Sequence, residues 1–573
     1  MVPRARRLPL ASWLALMVGI ALSIPAAPQV PDFQYATFLG SSGRDEGLAI
    51  AAGPDGTAYI AGTTRYPNDF LEITGPDIGE PPEEYGTFLF VLALDSRGHL
   101  LYSTYITSVP DSYALVPGGI AAGPDGSAYL SYTLYGDDWF FGYAVRLSPS
   151  GEILYRLGLP GYSAPQGIAV DGQGNVYVAG LIETGQYGPS PTFLGRAAFV
   201  TKIPANAAKG FQIYIDGSGN EQATAVALDA AGNVYLTGFT NSPDFFPSFP
   251  VERRGEDAFV MRIDPESGNA LYATELGGSG NDRGTDLAVD PEGNVFVTGT
   301  TTSPHFPLTG PFQPPTSSSN FFLTRLNATG DPVSSRYVGP NPWELSTPTI
   351  ARSPEGDLFW MGFIPNIPPW DPSPLFCEGT ALLRFDPDRL GLLDSFCYFT
   401  AIAADLDIDP DRYLYFTGLV RDDFSTTPGA FQHFFGGRID AFAARLRLNR
   451  PPDCSKAKPS PSTLWPPNGK LVSVAIQNVT DPDGDPVTLK ITGIRQDEAI
   501  TSRNGPDATI TPATTIRADR AGDGDGRVYH LSFEARDDKG ATCTGTVKAC
   551  VPHDQRPGAA CGDGGALFDS TAK

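Results

Sequence analysis

LAVDPEGNVFVTG, residues 287–299, is a short apolar strand, a tight turn carrying Gly293, and a second strand carrying Phe296. Apolar and small residues alternate on both sides of the turn, the two-residue period of a half-buried hairpin. The same pattern stands at 50–63, 120–130, 168–180, 226–238, 351–362 and 406–418, making seven copies. Tyr59, Tyr129, Tyr177, Tyr235, Phe296, Phe359 and Tyr415 fall in register. The turn glycine is Gly56, Gly126, Gly174, Gly232, Gly293 and Gly356, a residue that takes positive φ at little steric cost. Arg412 replaces it in the seventh copy, so a turn of different shape is expected there.

A third strand follows each hairpin, as in AFVMRID (258–264) and FFLTRLN (321–327). A fourth comes next, as in LYATELG (271–277), but only six copies follow their hairpins. The seventh fits YATFLG (35–40) at the other end of the chain. Four strands repeated seven times over residues 35–448 predict a seven-bladed β-propeller, its last blade completed by the N-terminal strand. That arrangement leaves no open sheet edge at the seam. A stacked solenoid is the alternative, and it has no use for a displaced strand.

The motifs resemble those of the bacterial seven-bladed β-propeller repeat proteins, with GIAVDxxGNVYVTG and DAFVxKLD patterns matched best at 219–263 and 277–326. The loops SPDFFPSF (242–249) and SPHFPLTGPFQ (303–313) share the family's Ser-x-x-Phe-Pro style. The resemblance implies export and a propeller, and it brings no catalytic residues with it.

Composition agrees with an all-β chain. Of 573 residues 64 are Gly and 54 Pro, while 41% are hydrophobic, too many for a disordered chain. The net charge is −24, which argues against nucleic-acid binding. Residues 451–573 carry 14 Lys and Arg against 16 Asp and Glu, so nearly all the negative charge lies before them. An acidic propeller suits cations, or glycans and proteins of neutral or basic surface.

Residues 1–27 read as a signal peptide: Arg4, Arg6 and Arg7, an apolar run from Leu8 to Ile24, then Pro25-Ala26-Ala27. An uncleaved anchor is the rival reading. No second long apolar run follows, so a monomeric mature chain without a membrane span is expected, secreted or at the cell surface.

After a linker at 449–460, alternating strands at 470–494 and 526–551 predict a β-sandwich module over 461–556, with a loose tail at 557–573. LWPPNGKLV, TDPDGDPV and RVYHLSFEARDDKG resemble bacterial immunoglobulin-like modules, which implies a surface or spacer role. Gly469 stands where that pattern commonly carries His.

Six cysteines fit an oxidising compartment. Cys377 and Cys397 are expected to pair, while Cys454, Cys543, Cys550 and Cys561 allow three pairings. Asp481, Asp483 and Asp485 form an Asp-x-Asp-x-Asp turn that could converge on Ca²⁺, with Asp537 and Asp538 as further oxygen donors. Thr492 stands where an EF-hand would place its bidentate Glu, and an Asp/Gly turn with no ion is the alternative. The loops GSSGRDE (40–46), DGSGNEQ (216–222) and GGSGNDR (277–283) put Asp45, Glu221 and Asp282 in register, on the face expected to bind. Good turn chemistry is the plainer account of those loops.

The five histidines show no metal spacing and no H-E-x-x-H occurs. The reading is therefore a non-catalytic binding or adhesion protein that recognises an extracellular glycan or protein through loops on one face. Its alternatives are a propeller enzyme of glycoside hydrolase or lyase type using channel carboxylates, and a structural envelope or spacer protein.

Overall fold

Each predicted hairpin becomes the inner half of a four-stranded antiparallel sheet. In the fifth repeat the order is Asp282–Val289, Val295–Thr301, Asn320–Leu326, Pro332–Pro340. The computed structural model describes residues 32–572 except 66–86, 107–113, 137–138, 185–194, 209, 246–254, 308–317, 342–346, 365–378, 399–400, 422–423, 500–504, 512, 523–524, 539–540 and 555–560. The signal-peptide segment lies outside the described residues. So do Cys377, the side chain of Cys397, and with them the bridge expected there. No helix among the described residues is long and apolar enough to cross a membrane.

Two compact units result, Asp32–Leu448 and the unit beginning at Asn449. The first is all-β and contains seven four-stranded sheets among the described residues, numbered here in chain order. Six are built from consecutive strands. The seventh takes Ala401–Ile408, Tyr413–Val420 and Asp440–Arg447 and completes itself with Asp32–Leu39. In that pairing Tyr35 lies opposite Arg445, and Phe38 opposite Phe442. The innermost strand of each sheet packs against that of the next, and that of the seventh, Ala401–Ile408, against that of the first, Asp45–Ala52.

The repeated aromatics explain this packing. All seven are buried. Tyr59 donates its hydroxyl to the carbonyl of Gly126 in the next sheet's turn (2.7 Å), and Tyr415 donates to Gly56 (3.1 Å). These two rings thus fill the gap between sheets while their polar ends are satisfied, the usual requirement for a buried tyrosine. Arg262 lies over Tyr235 and Arg325 over Phe296, adding cation–π contact. The turn glycines have φ between 77° and 110°. Arg412 does not give a different turn: its φ is 69°, and its N–H donates to the Asp409 carbonyl (3.0 Å) as Gly293 does to Asp290. The backbone keeps the shape and the arginine bears the strain.

The second unit has a four-stranded sheet, ordered Thr542–Pro552, Gly526–Asp537, Val487–Gln496, Phe568–Asp569, over a three-stranded and a two-stranded one. Tyr529, Leu531, Phe533, Val547 and Val551 fill its core with Ile494 and Ile516. Disulfides join Cys454 to Cys543 and Cys550 to Cys561. Arg527 is fully buried and bonds Asp507 (2.9 Å), itself fully buried, and Glu498 (3.2 Å).

Two expectations fail here. The tail is not loose where it is described: Phe568 pairs with Gln496, Ser570 is buried, and Cys561 is bridged. Nor is 449–460 a free linker, since Asp453 pairs with Thr480 and Cys454 is bridged to Cys543. Sequence composition hid both, because a single bridge and two strand residues suffice to anchor a small-residue segment.

Candidate functional site

The innermost strands of all seven sheets line one cavity of about 980 Å³. Its wall is mostly small and aliphatic: Ala49 and Ala51, Gly119 and Ala121, Gly167 and Ala169 face it from the first three sheets. Three carboxylates interrupt this wall. Asp286 accepts the N–H of Ile350 (2.8 Å) and the Thr349 hydroxyl (2.9 Å) from the sixth sheet. Asp405 accepts the N–H of Ile50 (2.9 Å), and Asp407 that of Ala52 (2.8 Å), from the first. Each therefore pins its own strand to the neighbouring one. Burial pushes Asp286 and Asp407 up to about 6 and Asp405 well above the ordinary carboxylate range. Sequence reading expected channel carboxylates only as a class and did not name these three. A bulge between Gly284 and Asp286, and another between Ala403 and Asp405, breaks the strand alternation just before them.

Asp45, Glu221 and Asp282 occupy equivalent positions, as predicted, but all three are fully buried. Asp45 accepts from the N–H of Ser41 (2.6 Å), Glu221 from that of Gly217 (2.9 Å), and Asp282 from that of Gly278 (2.8 Å). Ser303 also donates its hydroxyl to Asp282 (2.6 Å). These carboxylates hold their own Gly-Ser loops, and burial raises Glu221 and Asp282 above their ordinary values. They do not meet solvent. Because strand side chains alternate, the residue one step on does: Glu46, Gln222 and Arg283.

Gln222 and Arg283 belong to a pocket of about 330 Å³ where the third, fourth and fifth sheets meet. Arg196, Asn220, Glu221, Phe239, Asn241 and Glu256 complete it. Gln222 lies opposite Phe239 in the strand pair. The Arg283 guanidinium sits 4.6 Å above the Phe239 ring and pairs with Glu256. The Asn220 carboxamide oxygen accepts the N–H of Arg196, and that of Asn241 the N–H of Asn220 (3.1 and 2.7 Å). Gln222, Phe239 and Arg283 also line the cavity, so the pocket opens onto its mouth. Phe245 and Phe306, on the loops SPDFFPSF and SPHFPLTGPFQ, pack inward against Phe259 and Phe322. A partly exposed group of Trp139, Phe140, Phe141 and Tyr162 lies at the start of the second sheet's third strand and on the loop that follows that sheet. Phe246 and Phe312 lie outside the described residues.

In the second unit, Asp481, Asp483 and Asp485 each offer an oxygen within 4.8 Å of the others. Asp481 accepts the N–H groups of Asp483 (2.7 Å) and Asp485 (3.2 Å), which is a turn closed on its own side chain. Arg450 donates both its backbone N–H (2.7 Å) and its Nε (2.8 Å) to Asp483, so a cation there meets a guanidinium already in place. Asp537 is buried and accepts from Asn449 and Ala541. Asp538 is exposed, and neither residue joins the acidic group.

Comparison with known proteins gives the class. Residues 153–182 and 271–307 match the model of the bacterial family described as β-propeller repeat, and residues 449–549 that of the bacterial Ig domain. The chain thus carries β-propeller repeats followed by a bacterial Ig domain. No curated protein matches it. Among solved structures, a chain of the Mitotic Checkpoint Complex is 11% identical, covers 78% of this chain and 99% of its own, at a TM-score of 0.41. Streptogramin B lyase is 11% identical over 73% of this chain and 100% of its own, at 0.38. A Bacteroides caccae protein of unknown function is 11% identical over 54% and 94%, at 0.27.

Proposed function

We propose an exported, non-catalytic binding protein, cleaved after a signal peptide at 1–27. A closed seven-bladed propeller over 35–448 presents the loop face, and an Ig-like module follows it as a spacer. The pairing of Asp32–Leu39 with Asp440–Arg447 and the cyclic packing of the inner strands support seven blades. Two disulfides and the bacterial Ig domain fit an oxidising, extracellular setting. The pocket at the cavity mouth carries the binding reading, because it gathers an aromatic ring, two arginines and three amides on one face. The partner is an extracellular glycan or protein. Saturable binding of labelled mature protein to purified envelope and exopolysaccharide tests it, and absence of binding rejects it.

The enzyme reading rests on Asp286, Asp405 and Asp407. All three sit well down their strands and hold neighbouring backbone N–H groups, so moving a proton there would loosen the seams. Asp286→Asn leaving any glycan cleavage intact would end that alternative. Calcium at the Asp481 turn requires Arg450 to leave Asp483. A melting point of the whole chain unchanged between millimolar calcium and chelator would exclude it.

A further inference from the structure

We propose that the pocket between the third, fourth and fifth sheets is a subsite for one ring of a neutral glycan. The inference rests on the loop-face binding reading and names its ligand class. A sugar ring presents an apolar C–H face and a rim of hydroxyls, each both donor and acceptor. The pocket offers the complement. Phe239, half-buried, supplies an apolar ring, one face of which the Arg283 guanidinium covers at 4.6 Å. Asn220 and Asn241 in the pocket, and Asn281 on the wall of the larger cavity beside it, each have the carboxamide oxygen tied to a backbone N–H, that of Asn281 to Glu256 (3.1 Å). Their Nδ2 groups are thereby oriented as donors and have no protein acceptor among the described residues. The Gln222 amide beside Phe239 likewise has no protein partner among them. It offers one donor end and one acceptor end to adjacent hydroxyls. Orientation fixed before binding reduces the entropy lost on capture.

Charge selects the neutral class. Arg283 already pairs with Glu256 in the pocket, and Arg196 stands 3.9 Å from Glu183 outside it, so each cation has a carboxylate beside it. An anionic polymer would also meet the field of a strongly acidic chain. The volume of about 330 Å³ fits one ring with its water, and the opening toward the larger cavity lets a chain continue beyond it.

The test is binding of the whole mature protein to immobilised neutral oligosaccharides of glucose, galactose, mannose and N-acetylglucosamine, with polygalacturonate as the anionic arm. Binding to purified envelope is measured in parallel. The expected result is saturable binding to at least one neutral oligosaccharide, weakened about tenfold or more by Gln222→Ala and by Phe239→Ala. Gln222→Ala keeps the proposal testable if Phe239→Ala fails to fold. Neutral-sugar binding indifferent to Gln222→Ala, binding to polygalacturonate alone, or no sugar binding at all overturns the subsite. If envelope binding persists in that last case, the loop-face reading survives without it. If envelope binding is absent too, both fall.

Discussion

The two units reach stability by different means. Asp32–Leu448 repeats one apolar interlock seven times, with aromatic rings between sheets and no disulfide among its described residues. The unit from Asn449 is about three tenths of that length and adds two disulfides and a buried Arg527–Asp507 pair to one small core. Surface-to-volume scaling runs in the same direction, since a shorter chain buries a smaller share of its surface. Repetition substitutes for cross-links where many identical interfaces are available.

The largest expected effect comes from removing residues 32–39. The seventh sheet would lose its outer strand and expose the edge of Asp440–Arg447. Cooperative melting of the first unit should vanish in calorimetry while that of the second persists. If the first unit still melts cooperatively, the N-terminal strand is ornament rather than closure. Next, Arg527→Ala should cost about 3 kcal/mol in the second unit alone, because buried Asp507 keeps only Arg517 (3.4 Å) and the Gln496 amide (3.0 Å). Denaturant titration reads it. Replacing the Cys454–Cys543 and Cys550–Cys561 bridges by serine pairs should cost the second unit about 2–5 kcal/mol per bridge and leave the first unmoved. A shift of the first unit in these variants would break the contrast.

Acid separates the units more gently. Asp286 and Asp407 have folded values near 6, above the unfolded value of about 3.9. Their contribution is fully present below that unfolded value and is lost as pH rises through 6. The first unit should therefore melt higher at pH 4.5 than at pH 7.5, and Asp286→Asn should flatten the slope. In the second unit, Lys548, the Gly565 N–H and His530 lower Asp563 to about 2. Its small contribution is present above the unfolded value and lost as pH falls toward 2, the opposite trend. Parallel slopes in the two units would refute this. The smallest effect belongs to Arg412→Gly. Relief of the positive φ, about 1 kcal/mol, is partly offset by loss of the Glu355 ion pair (3.0 Å). A modest rise in the first unit's melting point is expected.

What the sequence disclosed follows from what is periodic. The hairpins, their glycine turns and the displaced strand at Tyr35 were legible because a two-residue period and a fixed repeat constrain them. The candidate site was legible only to its neighbourhood. Asp45, Glu221 and Asp282 look like exposed acids in glycine-rich loops, and only the fold turns them inward onto those loops. Gln222 and Phe239 have no signal of their own, since they become a site by facing each other across a strand pair. Asp286 and Asp405 follow a bulge that recurs at the same place in six of the seven inner hairpins, a slip in alternation that carries no residue signature of its own. The disulfide pairing and the strand at Phe568 depend on long-range contact alone.

The placement of Asp32–Leu39 beside Asp440–Arg447 also sets the order of events in making the protein. The first strand synthesised must wait for one of the last in its unit, some four hundred residues later. Throughout elongation its backbone donors have no home within the chain. A product truncated anywhere before Asp440 is therefore left with an unmatched strand at its leading end, which marks an unfinished molecule for proteases.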